Sequence, residues 1–162
     1  MALPMTYTAH YHSPLGGITL TADGTCLTGL WFDNQRQAPH TPDSEVHAAI
    51  PVFDETLRWL DLYFSGSVPD RVPPLALHGS AFRQRVWQLL LQIPYGQTVT
   101  YGDLARRLGC RSAQAVGGAV GHNPIALIVP CHRVVGAQGA LTGYAGGIDR
   151  KRALLQLECC SR

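Results

Sequence analysis

The stretch Val68–Gly79 carries Pro69, Pro73 and Pro74, and it limits the fold more than any other part of the chain. Proline locks φ, donates no backbone hydrogen bond and pushes the residue before it into extended geometry. Neither a helix nor a central strand passes through such a stretch, so it reads as an extended connection. The 162 residues therefore divide into a first domain over residues 1–74 and a second over residues 79–162.

The charges divide in the same way. Residues 1–78 hold three arginines (Arg36, Arg58, Arg71) against eight carboxylates, a net of −5. Residues 79–162 hold ten basic groups against three acidic ones, a net of +7, so the overall +2 hides an acidic half and a basic half. A basic half is the electrostatic footprint of a polyanion partner. Hydrophobic residues, at 46%, are enough for a packed core. No apolar run nears the roughly 18 residues of a membrane span, so no membrane association is expected. Met1–Thr8 lacks the basic flank and apolar core of a signal peptide, and the expected compartment is the cytoplasm. The cysteines are Cys26, Cys110, Cys131, Cys159 and Cys160. Their odd number and lack of a CxxC pair argue against a disulfide framework and a zinc knuckle. The adjacent Cys159 and Cys160 carry no evident role.

The first half mixes strand and helix signals. Ile18–Ala22 alternates and stops at the turn pair Asp23-Gly24, and Cys26–Phe32 resumes as a second strand. A polar stretch with Pro39 and Pro42 follows. Val52–Phe64 places Phe53, Leu57, Leu60 and Phe64 at helical spacing. The second half is mainly helical. Ser80 caps a helix to Leu91 with Phe82, Val86, Leu89 and Leu90 facing inward. Thr100–Asp103 is a capping box, so a helix runs to Leu108 and ends at Gly109. Ser112 caps the next helix, from Ala113 to about His122, and Asn123-Pro124 stops it. Two short helices joined by a few residues make a helix-turn-helix, with Arg106, Arg107 and Arg111 crowding the turn. The fold class expected is α+β: a small strand-and-helix domain, then a mainly helical domain with a helix-turn-helix.

The second of those helices is almost without side chains: Ala113, Ala115, Gly117, Gly118, Ala119, Gly121. Each glycine weakens a helix by about 1 kcal/mol, so the composition needs a reason. Either the helix packs closely on a core, or its backbone approaches a groove. The apolar run Ile125–Val129 follows and ends in Pro130-Cys131-His132-Arg133-Val134. A cysteine next to an imidazole and a guanidinium has a base to take its proton and cations that favour the thiolate.

Asn123-Pro124, the apolar run, Pro130–Val135, Gly143–Gly147, Lys151 and Leu154–Glu158 together resemble the O6-alkylguanine-DNA alkyltransferase family, the methylated-DNA–protein-cysteine methyltransferases. The likeness spans nearly all of residues 80–158 and extends more weakly to Ser13–Gly16. It implies a single, stoichiometric transfer of an alkyl group from O6-alkylguanine in double-stranded DNA to Cys131, with no cofactor. It leaves O4-alkylthymine open as a second substrate. His132 would deprotonate Cys131 through a water, and Glu158 would hold the imidazole. Asn123 would act as a hinge, its side chain bonding the backbone around the active turn. Tyr101 would give a proton to the departing base. Carbonyls of Cys131 and Val134 would accept from the guanine amine, and Tyr144 and Ala145 would form a lid over the lesion. The resemblance also implies that the second helix of the helix-turn-helix enters the minor groove. Arg111, Ala113, Gln114, Ala115, Gly117 and Arg133 then face DNA. It further implies a monomer in solution and leaves cooperative assembly on DNA open.

The chemistry explains these residue types. An alkyl carbon on an ether oxygen is a poor electrophile and needs a soft, strong nucleophile. The departing base needs a proton. The product is a thioether, a poor leaving group, so the protein is consumed. One position departs from the family: the arginine that fills the space of the extruded base is Gln114 here. Glutamine bonds the orphaned base but carries no charge and stacks less well. The first half offers only Cys26 and scattered histidines, so the structural zinc of some relatives is not expected. Two other readings fit parts of the chain. A lesion-binding protein of the alkyltransferase-like type keeps the fold but replaces the cysteine. A cysteine hydrolase using Cys131 and His132 leaves the other motifs unexplained.

Overall fold

A computed structural model describes residues 6–35, 46–47 and 49–160 of the chain. The polar stretch with Pro39 and Pro42 lies outside the described residues. The fold is α+β. Its first half builds a four-stranded sheet of order β3-β2-β1-β4 from β1 (Tyr7–Ser13), β2 (Gly16–Ala22), β3 (Leu27–Phe32) and β4 (Val46–His47). β1 and β2 pair antiparallel in register from Tyr7↔Ala22 to Ser13↔Gly16. The hairpin β2–β3 turns where expected: the Asp23 carboxylate accepts from the backbone N–H groups of Thr25 and Cys26. The sequence reading had not placed β1. Its residues YTAHYHS are largely polar and only partly buried, and β2 fixes them by pairing.

Helix α1 (Pro51–Phe64) covers the sheet. Its buried face is Val52, Phe53, Thr56, Trp59, Leu60 and Tyr63. The face is rotated from the expected one, since Leu57 and Phe64 are only partly buried. The rotation brings Trp59 and Tyr63 inward, stacked four residues apart with ring centroids at 5.1 Å.

The proline-rich stretch is extended, and it is pinned to the sheet. Leu27 N–H donates to Pro74 O at 2.8 Å and Ala76 N–H to Leu27 O at 2.9 Å. The same edge of β3 also holds the second half of the chain. Leu30 N–H donates to Pro124 O at 3.0 Å, and Ala126 N–H to Leu30 O at 2.9 Å. One continuous apolar core runs beneath both halves, from Ile18 and Leu20 to Val129 and Leu154.

The second half follows its caps. Ser80 Oγ accepts from Arg83 N at the start of α2 (Ala81–Leu91). The helix buries Val86, Trp87 and Leu90, with Phe82 and Leu89 at the margin. A short strand β5 (Val99–Thr100) leads to α3 (Tyr101–Leu108), which opens with the full Thr100–Asp103 capping box. Gly109 closes α3 at φ 64, a left-handed position that favours glycine. Ser112 Oγ caps α4 (Ala113–Gly121) by accepting from Ala115 N. Trp87 Nε1 donates to Ala119 O at 2.9 Å and ties α2 to α4. Strand β6 (Val134–Val135) pairs parallel with β5, and α5 (Ile148–Cys160) ends the described chain. No helix among the described residues is long and apolar enough to cross a membrane.

The side-chain-poor helix α4 does not owe its glycines to close packing. It buries Val116, Ala119 and Val120 and exposes Ala113, Gln114, Ala115 and Gly118. A Cβ built on Gly118 or Gly121 would meet nothing within 4 Å, and one on Gly117 only the edge of Tyr101 at 4.0 Å. Packing within the chain therefore does not require these glycines. Gly118→Ala should raise the stability of the free protein by about 1 kcal/mol, the helix-propensity difference. Urea denaturation measures this; a loss of stability would show that the outer face of α4 is packed.

Candidate active site

The site begins where α4 stops. Asn123 Oδ1 accepts from Ile125 N at 3.0 Å, and its Nδ2 donates to Val129 O at 2.8 Å. One side chain thus braces both ends of the buried run Ile125–Val129, which passes through a left-handed Leu127 at φ 69. A non-glycine residue in that region is strained and needs such bracing. With the β3 edge holding Ile125 from the other side, the run delivers Cys131 into a 3₁₀ turn, Cys131–Arg133.

His132 and Glu158 are fully or almost fully buried, at 0% and 1% exposure. His132 Nε2 lies 2.5 Å from Glu158 Oε2. With Nε2 committed to the carboxylate, Nδ1 holds the free lone pair; it is buried and without a partner among the described residues. Glu158 gathers more donors: Arg133 Nε at 2.7 Å and Nη2 at 3.2 Å, Gly96 N at 3.1 Å, and Tyr63 Oη at 2.6 Å. Burial pushes the Glu158 carboxyl up, but the bonds and charges of His132 and Arg133 outweigh it and hold it at about 2. Burial pulls His132 down, and Glu158 opposes it. The resting imidazole is therefore neutral and ready to accept a proton.

Cys131 is buried, at 8% exposure. Burial pushes its thiol up, while Asn123, the Lys151 charge and the backbone N–H groups of Cys131 and His132 pull it down. Burial is the largest of these effects, and the Arg133 charge that the sequence sets beside the thiol is spent on Glu158. Arg133 also leaves the DNA-facing set assigned from the sequence. It is 7% exposed, and its remaining donor goes to Ile93 O at 2.7 Å.

Cys131 lies in the wall of a cavity of about 310 Å³. Asn123, Tyr101, Gly117, Tyr144 and Ala145 share that wall, with Gly118 and Gly121 of α4 and Gln35 of the first half. Burial pushes the Tyr101 hydroxyl up, as it does that of Tyr144, whose buried oxygen has no partner among the described residues. Both phenols stay protonated at neutral pH. Val134 is buried in β6 and is not part of the wall; Cys131 O already accepts the Val134 N–H. Arg111, Ala113, Gln114 and Ala115 are exposed and lie outside the cavity. Lys151, fully buried, donates from Nζ to Thr142 O at 2.8 Å, beside the loop that carries Tyr144.

Two residues of the first half were not found from the sequence. Tyr63 falls within the expected helix but outside its expected inward face, and Gln35 falls after the expected second strand; only the tertiary fold brings them here. Among the described residues, no group of three or more His, Cys, Asp or Glu side chains is placed to share a metal ion.

A buried cysteine backed by an imidazole and a carboxylate, beside a helix-turn-helix, defines the class of protein. Residues 81–160 match the family model described as "6-O-methylguanine DNA methyltransferase, DNA binding domain". Residues 6–75 match the companion "6-O-methylguanine DNA methyltransferase, ribonuclease-like domain". The chain belongs to this family. It is 48% identical over 157 residues to the methylated-DNA–protein-cysteine methyltransferase of Mycobacterium tuberculosis, covering 92% of each chain. It is 42% identical over 155 residues to that of Haemophilus influenzae, covering 94% of this chain and 86% of the other. The crystal structure of the M. tuberculosis O6-methylguanine methyltransferase superimposes with a TM-score of 0.87 at 46% identity, covering 98% of this chain and 95% of that one. The structure of M. tuberculosis OGT in complex with DNA gives 0.85 at 46% identity, covering 97% and 94%.

The pKa of Glu158 makes a prediction. Its folded value, about 2, lies below its ordinary 4.5. The stability it contributes is present above about pH 4.5 and is lost as pH falls toward 2. Folding stability measured by denaturant titration should fall across that window. Glu158→Gln should be less stable at neutral pH and lack this part of the acid loss. An identical acid profile in both proteins would contradict the assignment.

Proposed function

We propose that the protein repairs O6-alkylguanine in double-stranded DNA by moving the alkyl group irreversibly onto Cys131. The observation that carries this reading is the position of Cys131. It lies in the wall of a cavity shared with Gly117, Gly118 and Gly121 of α4, and the next residue, His132, is paired with Glu158. The family relatives supply the class of reaction, and the DNA complex of a relative supports a DNA partner.

The chemistry then follows. The target atom lies inside a stacked duplex, so the nucleotide is turned out into the cavity at a cost of a few kcal/mol. His132 Nδ1 takes the thiol proton through a water. The sulfur attacks the alkyl carbon, an S–C bond forms and the C–O bond breaks. Tyr101 gives its proton to the departing base. Glu158 holds the imidazolium and, at about 2, does not itself take the proton. Asn123 fixes the turn, and Tyr144 and Ala145 close over the base. The Cys131 and Val134 carbonyls accept from the guanine amine; a carbonyl has two lone pairs, so the Val134 N–H leaves one free on Cys131. Arg111, Ala113, Gln114, Ala115 and Gly117 lie along the duplex. No cofactor takes part, and the reacting unit is one chain.

The intact mass of the protein after incubation with O6-methylguanine DNA tests this. A stable gain of one methyl on Cys131 is expected. Tight binding with no gain would favour a lesion-binding protein, and turnover of an ester or peptide would favour a hydrolase. Cys131→Ser should take up no methyl while keeping most duplex affinity, because a hydroxyl is a far weaker nucleophile than a thiolate. Uptake in that variant at Cys26, Cys110, Cys159 or Cys160 would overturn the assignment. Gln114→Arg should speed repair of a well-paired duplex and leave free O6-benzylguanine unchanged, since only the duplex needs extrusion. The second-order rates on both substrates decide it. A rise on the free base alone would exclude a role for position 114 in extrusion.

A further inference from the structure

The groups so far given a part in the transfer come from the second half of the chain, yet the shortest bond to Glu158 after that of His132 comes from the first. Tyr63, on α1, is fully buried and donates from Oη to Glu158 Oε2 at 2.6 Å. That oxygen is the one His132 Nε2 meets at 2.5 Å, and Tyr63 Oη is itself only 3.4 Å from Nε2. The phenol is held in place by stacking on Trp59 and by edge contacts with Tyr95 and His132, at 6.0 and 6.4 Å between centroids. Resting on the transfer reading above, we infer that Tyr63 is a positioning residue for the reaction: by sharing Glu158 Oε2 it keeps His132 neutral, and so able to take the Cys131 proton.

The physical basis is competition for one acceptor. A carboxylate oxygen that already accepts a strong neutral donor has less negative charge to offer a second one. Without the phenol, Oε2 would hold the imidazolium more tightly, and His132 would protonate at higher pH. An imidazole that is already protonated cannot take the thiol proton. The other charged or titratable groups around the imidazole are Glu158 and Lys151 on α5, and Arg133 and Cys131 in its own turn. Among the described residues, Tyr144, in the loop before α5, and Tyr95, against Tyr63 and Arg133, lie around the phenol. Arg133 and Lys151 both oppose protonation of His132, so Tyr63 acts in the same direction as two cations without adding charge. Burial, then the Glu158 charge, pushes the phenol up, which keeps it a donor throughout the working range.

Tyr63→Phe removes one oxygen and keeps the ring. In the unreacted protein, NMR of ¹⁵N-labelled histidine should show the His132 midpoint rise by about one pH unit, a reasonable size for one hydrogen bond to a charged group. The acid limb of the transfer rate on free O6-benzylguanine should move up by the same amount. Placing 3-fluorotyrosine at position 63, a stronger donor, should move both midpoints down. A His132 midpoint that stays put or moves the other way in both variants would overturn the inference, even if the melting temperature drops, because packing alone does not move a titration. Wild-type methylation of Cys131, read by mass, tests the transfer reading separately. If Cys131 gains its methyl and the His132 midpoint is unmoved, only the role of Tyr63 fails.

Discussion

A charged carboxylate buried to 1% exposure is tolerable only if donors replace the water it has lost. Glu158 has five: His132 Nε2, Tyr63 Oη, Gly96 N and two nitrogens of Arg133. These come from α1, the loop before β5 and the 3₁₀ turn, and the acceptor from α5, so the requirement to satisfy one anion gathers distant parts of the chain around it. The same requirement explains why Arg133 points inward. A guanidinium offers a planar fork that matches a carboxylate, and Ile93 O accepts its third bond.

The second constraint is the outer edge of β3. An open sheet edge presents unpaired backbone groups. Here Leu27 is paired by the proline-rich stretch and Leu30 by the run that leads to Cys131. The first half therefore does more than sit beside the reactive half. It fixes the backbone that carries the cysteine, supplies Tyr63 to its carboxylate and places Gln35 in the cavity wall. On the opposite side, the open space around Gly118 and Gly121 leaves the approach to that wall clear of side chains.

Much of this was legible in the sequence where the cause is local. The Ser80, Thr100 and Ser112 caps are side chains bonding to their own helix starts, so a few residues define them. The Asp23-Gly24 turn and the Cys-His-Arg run are local in the same sense. What was not legible depends on partners far along the chain. β1 needs β2 to become a strand. The buried face of α1 is set by what lies against it, which turned Tyr63 inward. Arg133 looked like a surface cation because a basic residue beside a cysteine gives no sign that a carboxylate 25 positions later will claim it. The balance at Cys131 has the same origin: the charges beside it can be read from the sequence, but the extent of its burial, which outweighs them, depends on the whole fold.

The bonds to Glu158 span long loops, 26 positions to His132 and 95 to Tyr63. Contacts of such separation form only after their loops have closed, and so follow the local helices and hairpins. The imidazole beside Cys131 thus has its carboxylate only once α5, the last element of the described residues, has docked. Until α5 docks, the thiol lacks the orienting pair that would make it reactive.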